Sequence, residues 1–383
     1  MSAQGARIDI LFLIRAMGRG GAERQLSLLA RTLHRRGVRV VVAVFYRGGP
    51  LAQELHDSGV ELLDLKKPGR WSNFGVLIQL AAYVRRNKPR VLHSYMSTQN
   101  VLALLLRPWL KLQRCRVVCG IRTSLPNAWN YSKVAGIVDV LQSRLLPFAD
   151  RVICNSQAAL ANLRTHIADG RGLVVPNGIE HERFNFNQGI RIDQREAWSA
   201  TEDEVLLGLV GRLDPRKNHT LLVDALRLAG DQMRNVRLVF VGDGPTSQRA
   251  KIEAHANATS MSSRILWAGP SDDLAAVYSA LDMFCLCSVV EGFPNVLAEA
   301  MCAGLPCVTT DVGDAAEVVG DCGWVVPSGD AQALANALIQ AHDALPSWDR
   351  ERPRRRVVEN FSVDRLADRT LAALAPFLDE AAG

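Results

Sequence analysis

The sequence predicts an α/β protein built from two doubly wound Rossmann-like domains facing across a cleft. Three observations lead there. The chain has 383 residues, too many for one ordinary core and enough for two domains of roughly 150–200 residues. Short apolar runs alternate with helical patterns along its whole length, as in parallel sheets wrapped by crossover helices. Charge is divided unevenly: residues 1–185 carry 27 Lys and Arg against 11 Asp and Glu, and the remainder carries 18 against 28. A basic half beside an acidic half fits two domains that meet different partners.

The strand candidates of the first half are, in order, DILFLI, RVVVAVF, VELLDL, RVLHSY, CRVVCGI, DRVICN and LVVPNG. Helical segments lie between them, such as AERQLSLLARTLHRRG with its stripe of Leu26, Leu29 and Leu33. The second half offers EVLLGLVGRL, VRLVFVGDG, RILWAG, MFCLCS, PCVTTD and GWVVP, with helices in NHTLLVDALRLAG, DDLAAVYSALD and NVLAEAMCAG. The join falls at PNGIEHERFNFNQ, rich in turn formers and poor in apolar periodicity. We therefore expect an N-terminal domain over 1–180, a C-terminal domain over 181–360, and an amphipathic segment over 361–383.

Bulk composition excludes several classes. A hydrophobic content of 48% and mean hydropathy of +0.03 describe a globular chain. No apolar stretch reaches the roughly 18 residues that span a bilayer, and the N-terminus lacks a signal-peptide pattern. The eight cysteines form no C-x-x-C pair and no metal spacing, which suggests buried thiols in a reducing cytoplasm. No nucleic-acid motif accompanies the basic residues.

Behind the first strand stands MGRGGAERQL, residues 17–26. A dinucleotide fingerprint needs G-x-G-x-x-G. Gly18 and Gly20 fill the first two places, but Glu23 takes the third, where a carboxylate would repel pyrophosphate. Asp64, the nearest candidate ribose ligand, lies about twice as far on as the ~20-residue spacing requires. That excludes a dehydrogenase and leaves a glycine loop whose amides can face an anion.

The strongest chemical signal is SVVEGFPNVLAEAMCAG, residues 288–304. Glu291 closes a loop, Pro294 suits a first helical turn, and the amides near Asn295 and Val296 make an anion site. Glu299 follows Glu291 by eight residues, so both carboxylates can turn toward one pocket and hold hydroxyls. A solvent-facing Glu299 and a purely helix-stabilising Glu291 are the plainer alternatives. In LVGRLDPRKNHT, Arg212 and Lys217 can supply a forked donor and a point charge to a diphosphate.

These residues resemble the retaining glycosyltransferases of the two-domain GT-B fold, in the large family 4 (glycosyl transferases, group 1). Glu291 and Glu299 meet the family's E-x7-E pattern; Gly211, Arg212, Leu213, Lys217 and Asn218 meet its G-R-L…K-N loop. ADRVICNSQA, VVPNGI, VFVGDGP and PCVTTDVGDAAEVV also read like its landmarks, over about residues 8–345. The resemblance implies that the domain over 1–180 binds acceptor, that the domain over 181–360 binds donor, and that the helix over 361–383 crosses back to the first. It also implies that Glu299 binds donor ribose and that Glu291 contacts the transferred sugar. Phe293, Pro294, Asn295 and Val296 would surround sugar and phosphate, with Gly211 and Gly242 in the same donor set. Arg212 and Lys217 would neutralise the leaving diphosphate. Gly20 and Gly21 would approach donor phosphates or acceptor. Transfer would retain anomeric configuration, with no metal and no cofactor; SDD at 271–273 reads as a helix cap.

One departure concerns the acceptor side. Where family members carry a histidine after the fifth strand, this chain has Arg122, either an electrostatic substitute or a ligand for an anionic acceptor. His93, in RVLHSYMS, is a family feature or a core residue. RPWLKLQRCR, residues 107–116, mixes Trp109, Leu110 and Leu112 with Arg107, Lys111, Arg114 and Arg116, an interfacial composition. The expected function is transfer from a nucleotide-diphosphate sugar, UDP before GDP, to a glycan or lipid-linked acceptor in polysaccharide, lipopolysaccharide or glycolipid synthesis. The enzyme would be cytoplasmic, peripheral on an anionic inner membrane face, without nucleic acid. A non-hydrolysing sugar-nucleotide epimerase and a non-catalytic nucleotide-sugar-binding protein are the competing readings.

Overall fold

Strands buried on both faces need near-continuous runs of Val, Ile and Leu rather than alternation, and the apolar runs of this sequence form parallel strands accordingly. The computed structural model describes residues 7–67, 73–122 and 133–379. In these, β1 (Ile10–Ile14), β2 (Val40–Val44), β3 (Glu61–Asp64), β4 (Val91–Tyr95), β5 (Arg116–Ile121), β6 (Arg151–Cys154) and β7 (Gly172–Val174) make a parallel sheet of order β3-β2-β1-β4-β5-β6-β7. A second parallel sheet joins β8 (Val205–Val210), β9 (Val236–Val241), β10 (Ile265–Gly269), β11 (Met283–Leu286), β12 (Cys307–Thr310) and β13 (Gly323–Val326) in the order β10-β9-β8-β11-β12-β13.

Each strand feeds two cores. In β1, Leu11 and Leu13 join one, while Ile10, Phe12 and Ile14 join the other. The first core takes Val76, Leu80 and Val84 from the helix Asn73–Asn87 and Leu102, Leu104 and Leu110 from the helix Ser97–Leu112. The opposite core takes Leu26, Leu29 and Leu33 from Gly21–Arg35, Leu51 and Leu55 from Pro50–Asp57, and Leu366 and Leu374 from Val363–Leu378.

The chain divides into two compact units, the described residues of Met1–Gly178 with Val363–Gly383, and Ile179–Ser362. In the first unit the C-terminal helix packs on Gly21–Arg35, where Arg36 reaches both Asp364 and Asp368 at 2.6 Å. In the second, Ile179 and Ser362 form an isolated parallel bridge, and the Ile179 amide donates to the Phe361 carbonyl at 2.7 Å.

Strand order fixes where a ligand can sit. In each sheet one pair of neighbours, β1 with β4 and β8 with β11, marks the point where the winding reverses. Loops leaving the carboxyl ends of such a pair diverge and open a crevice.

One expectation about the surface is corrected in part. Within the segment 107–116, Leu110 is fully buried, Trp109 packs on the core and Arg107 pairs with Asp150 at 2.9 Å, while Lys111, Leu112 and Arg114 are exposed. Among the described residues no helix is long and apolar enough to cross a membrane. The eight cysteines are all buried and free, and burial pushes the Cys115, Cys119 and Cys154 thiols up to about 12.

Candidate functional site

In the second unit, two loops diverge from β8 and β11 and are stitched together. The Val289 amide donates to the Arg216 carbonyl at 2.8 Å, and the Cys287 Sγ lies 3.3 and 3.2 Å from the Lys217 and Asn218 carbonyls. A short 3-10 turn, Pro215–Lys217, is capped by Asp214, whose carboxylate accepts from the Arg216 amide at 3.0 Å. Asn218 then adopts the left-handed conformation, φ 50° and ψ 48°, before the helix His219–Ala229. Asparagine tolerates that conformation better than most side chains.

This turn delivers Lys217 to Glu291. Its Nζ lies 2.5 Å from Glu291 Oε1, which also accepts from Ser288 Oγ at 2.7 Å. The lysine stem runs over Gly211, where a Cβ would stand 3.3 Å from Lys217 Cε. Gly242 has a different need: at φ +142° a Cβ there would meet the Gly211 carbonyl oxygen at 2.0 Å, so only glycine fits. An ammonium has three N–H donors, so the bond to Glu291 leaves two for other acceptors.

Arg212 stands apart from the pair. Its side chain is 72% exposed and lies 3.7 Å from Asp214, a carboxylate already gripped by Arg216 through two bonds of 2.8 and 2.7 Å. Sequence reasoning missed this Asp214–Arg216 clamp, although the P-R-K spacing after an aspartate is that of a capped turn.

Glu299 is not solvent-facing. It is buried on the helix Asn295–Cys302 and accepts from the Tyr278 hydroxyl at 3.0 Å. Pro294 is the residue before that helix rather than part of its first turn, and its carbonyl receives the Leu297 and Ala298 amides at 3.1 and 3.3 Å. Backbone bonding within the helix thus starts after Asn295 and Val296, at the end where its dipole is positive. Phe293 is a core anchor, packed edge-on against Phe361 at 5.3 Å. Asp273 accepts from the Ala275 and Ala276 amides, the cap expected of SDD.

Below Lys217 lies a group the sequence reading passed over. His219 is buried edge-on against Phe240, 5.0 Å between centroids, and neither ring nitrogen has a hydrogen-bond partner. Burial, with Lys217 adding to it, lowers its pKa to about 4, so it is neutral at ordinary pH.

The first unit holds the remaining candidates. Gly20 and Gly21 are exposed at the start of Gly21–Arg35, and Glu23 folds back so closely that a Cβ on Gly20 would meet its carboxylate oxygen at 2.2 Å. Arg122, at the end of β5, donates to the Tyr95 hydroxyl at 2.7 Å and to Asn177 Oδ1 at 3.3 Å, with its guanidinium 4.5 Å from the Tyr95 ring centre.

Of the two accounts of His93, its surroundings are those of a core residue. Its ring has no exposed surface; it lies 5.5 Å from Phe12 and 4.8 Å from Tyr95, centroid to centroid, inside β4. Burial and the nearby Arg122 hold its pKa well below the usual value. Among the described residues no three His, Cys, Asp or Glu side chains converge as a metal site.

Residues 204–343 match the family of glycosyl transferases group 1, and residues 19–183 match glycosyltransferase family 4. The chain belongs to glycosyltransferase family 4. It is a retaining glycosyltransferase of the hexosyltransferase type, in a family that uses nucleotide sugars. The putative glycosyltransferase EpsF of Bacillus subtilis is 27% identical over 315 residues, 79% of each chain. The UDP-Gal:alpha-D-GlcNAc-diphosphoundecaprenol alpha-1,3-galactosyltransferase of Escherichia coli is 24% identical over 76% of this chain and 77% of its own. Among solved structures, Anabaena HepE in complex with UDP superposes with a TM-score of 0.82 at 20% identity, covering 96% of this glycosyltransferase and all of HepE. The fold is GT-B.

Proposed function

We propose that this glycosyltransferase moves a hexose, with retention, from a UDP-sugar to a lipid-linked glycan acceptor. The observation that carries the reading is the Lys217–Glu291 pair at the β8/β11 switch point, beside the Glu299–Tyr278 pair. Glu299 receives the donor ribose hydroxyls, its second oxygen steadied by Tyr278. Lys217 and the extended Arg212 take up the charge that develops on the diphosphate as the glycosidic bond breaks, while the amides of Asn295 and Val296 add a positive helix end. Glu291 orients Lys217 and contacts the transferred sugar.

The relatives support the donor and the acceptor separately. HepE binds UDP, and the Escherichia coli enzyme uses UDP-Gal with a diphosphoundecaprenol-linked acceptor. The net excess of cations in residues 1–185 suits an anionic acceptor of that kind. Arg122, held by two neutral partners, would grip its diphosphate.

Thermal shift with UDP, GDP, ADP, CMP and NAD, each with and without EDTA, tests this reading. A ligand at ~100 times its dissociation constant stabilises the folded state by roughly 2.7 kcal/mol. Selective stabilisation by UDP that survives EDTA and weakens in Arg212→Ala is expected. Stabilisation by GDP alone would change the donor, and stabilisation by NAD alone would overturn the reading.

A further inference from the structure

The two helical layers on the first unit's sheet differ in what they turn outward. Around Gly21–Arg35, Pro50–Asp57 and Val363–Leu378 the surface is charged and paired, with Arg31 on Glu54 at 3.1 Å and Arg36 on Asp364 and Asp368. The opposite layer consists of Asn73–Asn87, Ser97–Leu112 and Lys133–Leu145, the middle helix packing on both neighbours. Each of these turns an apolar stripe to solvent. Phe74 and Ile78 are exposed on the first, Leu105 and Leu112 on the second, and Val134, Ile137, Val140 and Leu141 on the third; Phe74, Leu112 and Ile137 are 76%, 78% and 68% exposed.

The third helix is the most telling. Its apolar residues recur at helical spacing, yet that stripe faces out while Gln142 is buried and bonds Asn100 at 2.8 Å. A helix that buries an amide and exposes Ile137 and Val140 is inverted for a water-bounded surface.

Charge selects the occupant. The three helices together contain one carboxylate, Asp139. Each stripe ends in exposed cations near its helix C-terminus: Arg85 and Arg86, Lys111, and Arg144. A favourable helix dipole accounts for cations there, but not for the apolar residues beside them. A second copy docked symmetrically would bring these like charges together with almost no carboxylate to meet them. An anionic lipid surface takes both parts: side chains such as Ile137 enter the acyl boundary while the long cations reach phosphates.

We infer that the outer face of Asn73–Asn87, Ser97–Leu112 and Lys133–Leu145 docks this glycosyltransferase on an anionic bilayer. The inference deepens the lipid-linked acceptor reading, and its test uses no sugar transfer. Full-length protein is floated with vesicles of phosphatidylcholine alone and of phosphatidylcholine with phosphatidylglycerol, without nucleotide. Binding to the anionic vesicles only, weakened by salt, is expected. The double variant Ile137→Ser, Val140→Ser should lose binding by about tenfold or more while keeping its UDP thermal shift, which reports a folded donor unit. A charge variant, Lys111→Glu with Arg144→Glu, should lose the preference for anionic lipid. Equal flotation of the wild type and the serine variant overturns the assignment. So does a concentration-dependent dimer that Ile137→Ser, Val140→Ser dissolves, which makes a second copy the occupant. Loss of flotation with an intact UDP shift leaves the donor reading standing; flotation without any nucleotide shift does the reverse.

Discussion

The two units share a device and complete it differently. Each sets a cation at the carboxyl end of its sheet close to a buried imidazole without a hydrogen-bond partner: Lys217 with His219 in one, Arg122 with His93 in the other. In both, burial keeps the imidazole neutral and the cation reinforces it. The difference lies in the counter-charge. Lys217 has Glu291 at 2.5 Å, whereas Arg122 bonds a phenol and an amide and has no carboxylate partner among the described residues. A compensated cation can steady charge that appears only as a bond breaks; an uncompensated one attracts a ligand that arrives charged. The first suits a leaving group, the second an anionic acceptor.

That contrast can be broken by experiment, most sharply at Lys217. Lys217→Met should lower single-turnover transfer by about 10²–10³-fold, the cost of removing one donor from developing charge. Stopped-flow or quench measurement decides it; a loss confined to KM would make Lys217 a ground-state ligand instead. Arg122→Ala should be milder, roughly 10- to 100-fold in transfer, matching a lost hydrogen bond to a charged group. Its UDP thermal shift should stay unchanged. Arg122→Lys should recover little, because an ammonium cannot reproduce the fork.

The two histidines make stability fall with acid. Folded His219 has its pKa lowered to about 4 from 6.5, and His93 shifts the same way. Below 6.5 the unfolded chain takes up protons that the folded chain refuses, so stability drops as pH falls from about 6.5 toward 4. The slope reaches about 1.4 kcal/mol per pH unit for each such proton. Urea midpoints across that window should show the drop, and His219→Asn should reduce the slope by one proton. An unchanged slope would mean that His219 charges without unfolding. The smallest effect belongs to Tyr278→Phe, which removes one bond to Glu299 and should weaken UDP binding by about 1 kcal/mol. Isothermal titration resolves that difference.

Much of this was legible beforehand, for definable reasons. Parallel strands announce themselves as apolar runs, and each of the thirteen quoted runs overlaps a strand. Glu291, Glu299, Arg212 and Lys217 stand out because their spacing is carried by one loop and one helix. What escaped depends on direction rather than spacing. The apolar pattern of Lys133–Leu145 reads like a core stripe, since periodicity marks that a stripe exists but not which side it faces. Trp109 and Leu110 misled in the opposite sense, appearing interfacial while packing inward. His93 sits mid-strand, where alternation sends a side chain to one of two faces and only the tertiary fold covers it. The Asp214–Arg216 clamp was hidden by the louder cations around it.

The chain leaves the first unit after Gly178 and rejoins it at Val363. The second unit is therefore an insertion in the sequence of the first, whatever its size. Ile179–Ser362 is one continuous stretch and carries its whole core, whereas Met1–Gly178 lacks Leu366 and Leu374 until the helix Val363–Leu378 returns to it. Without that last helix the apolar side of Gly21–Arg35 has no cover on that flank, so a chain cut after Ser362 would hold one finished unit and one open one.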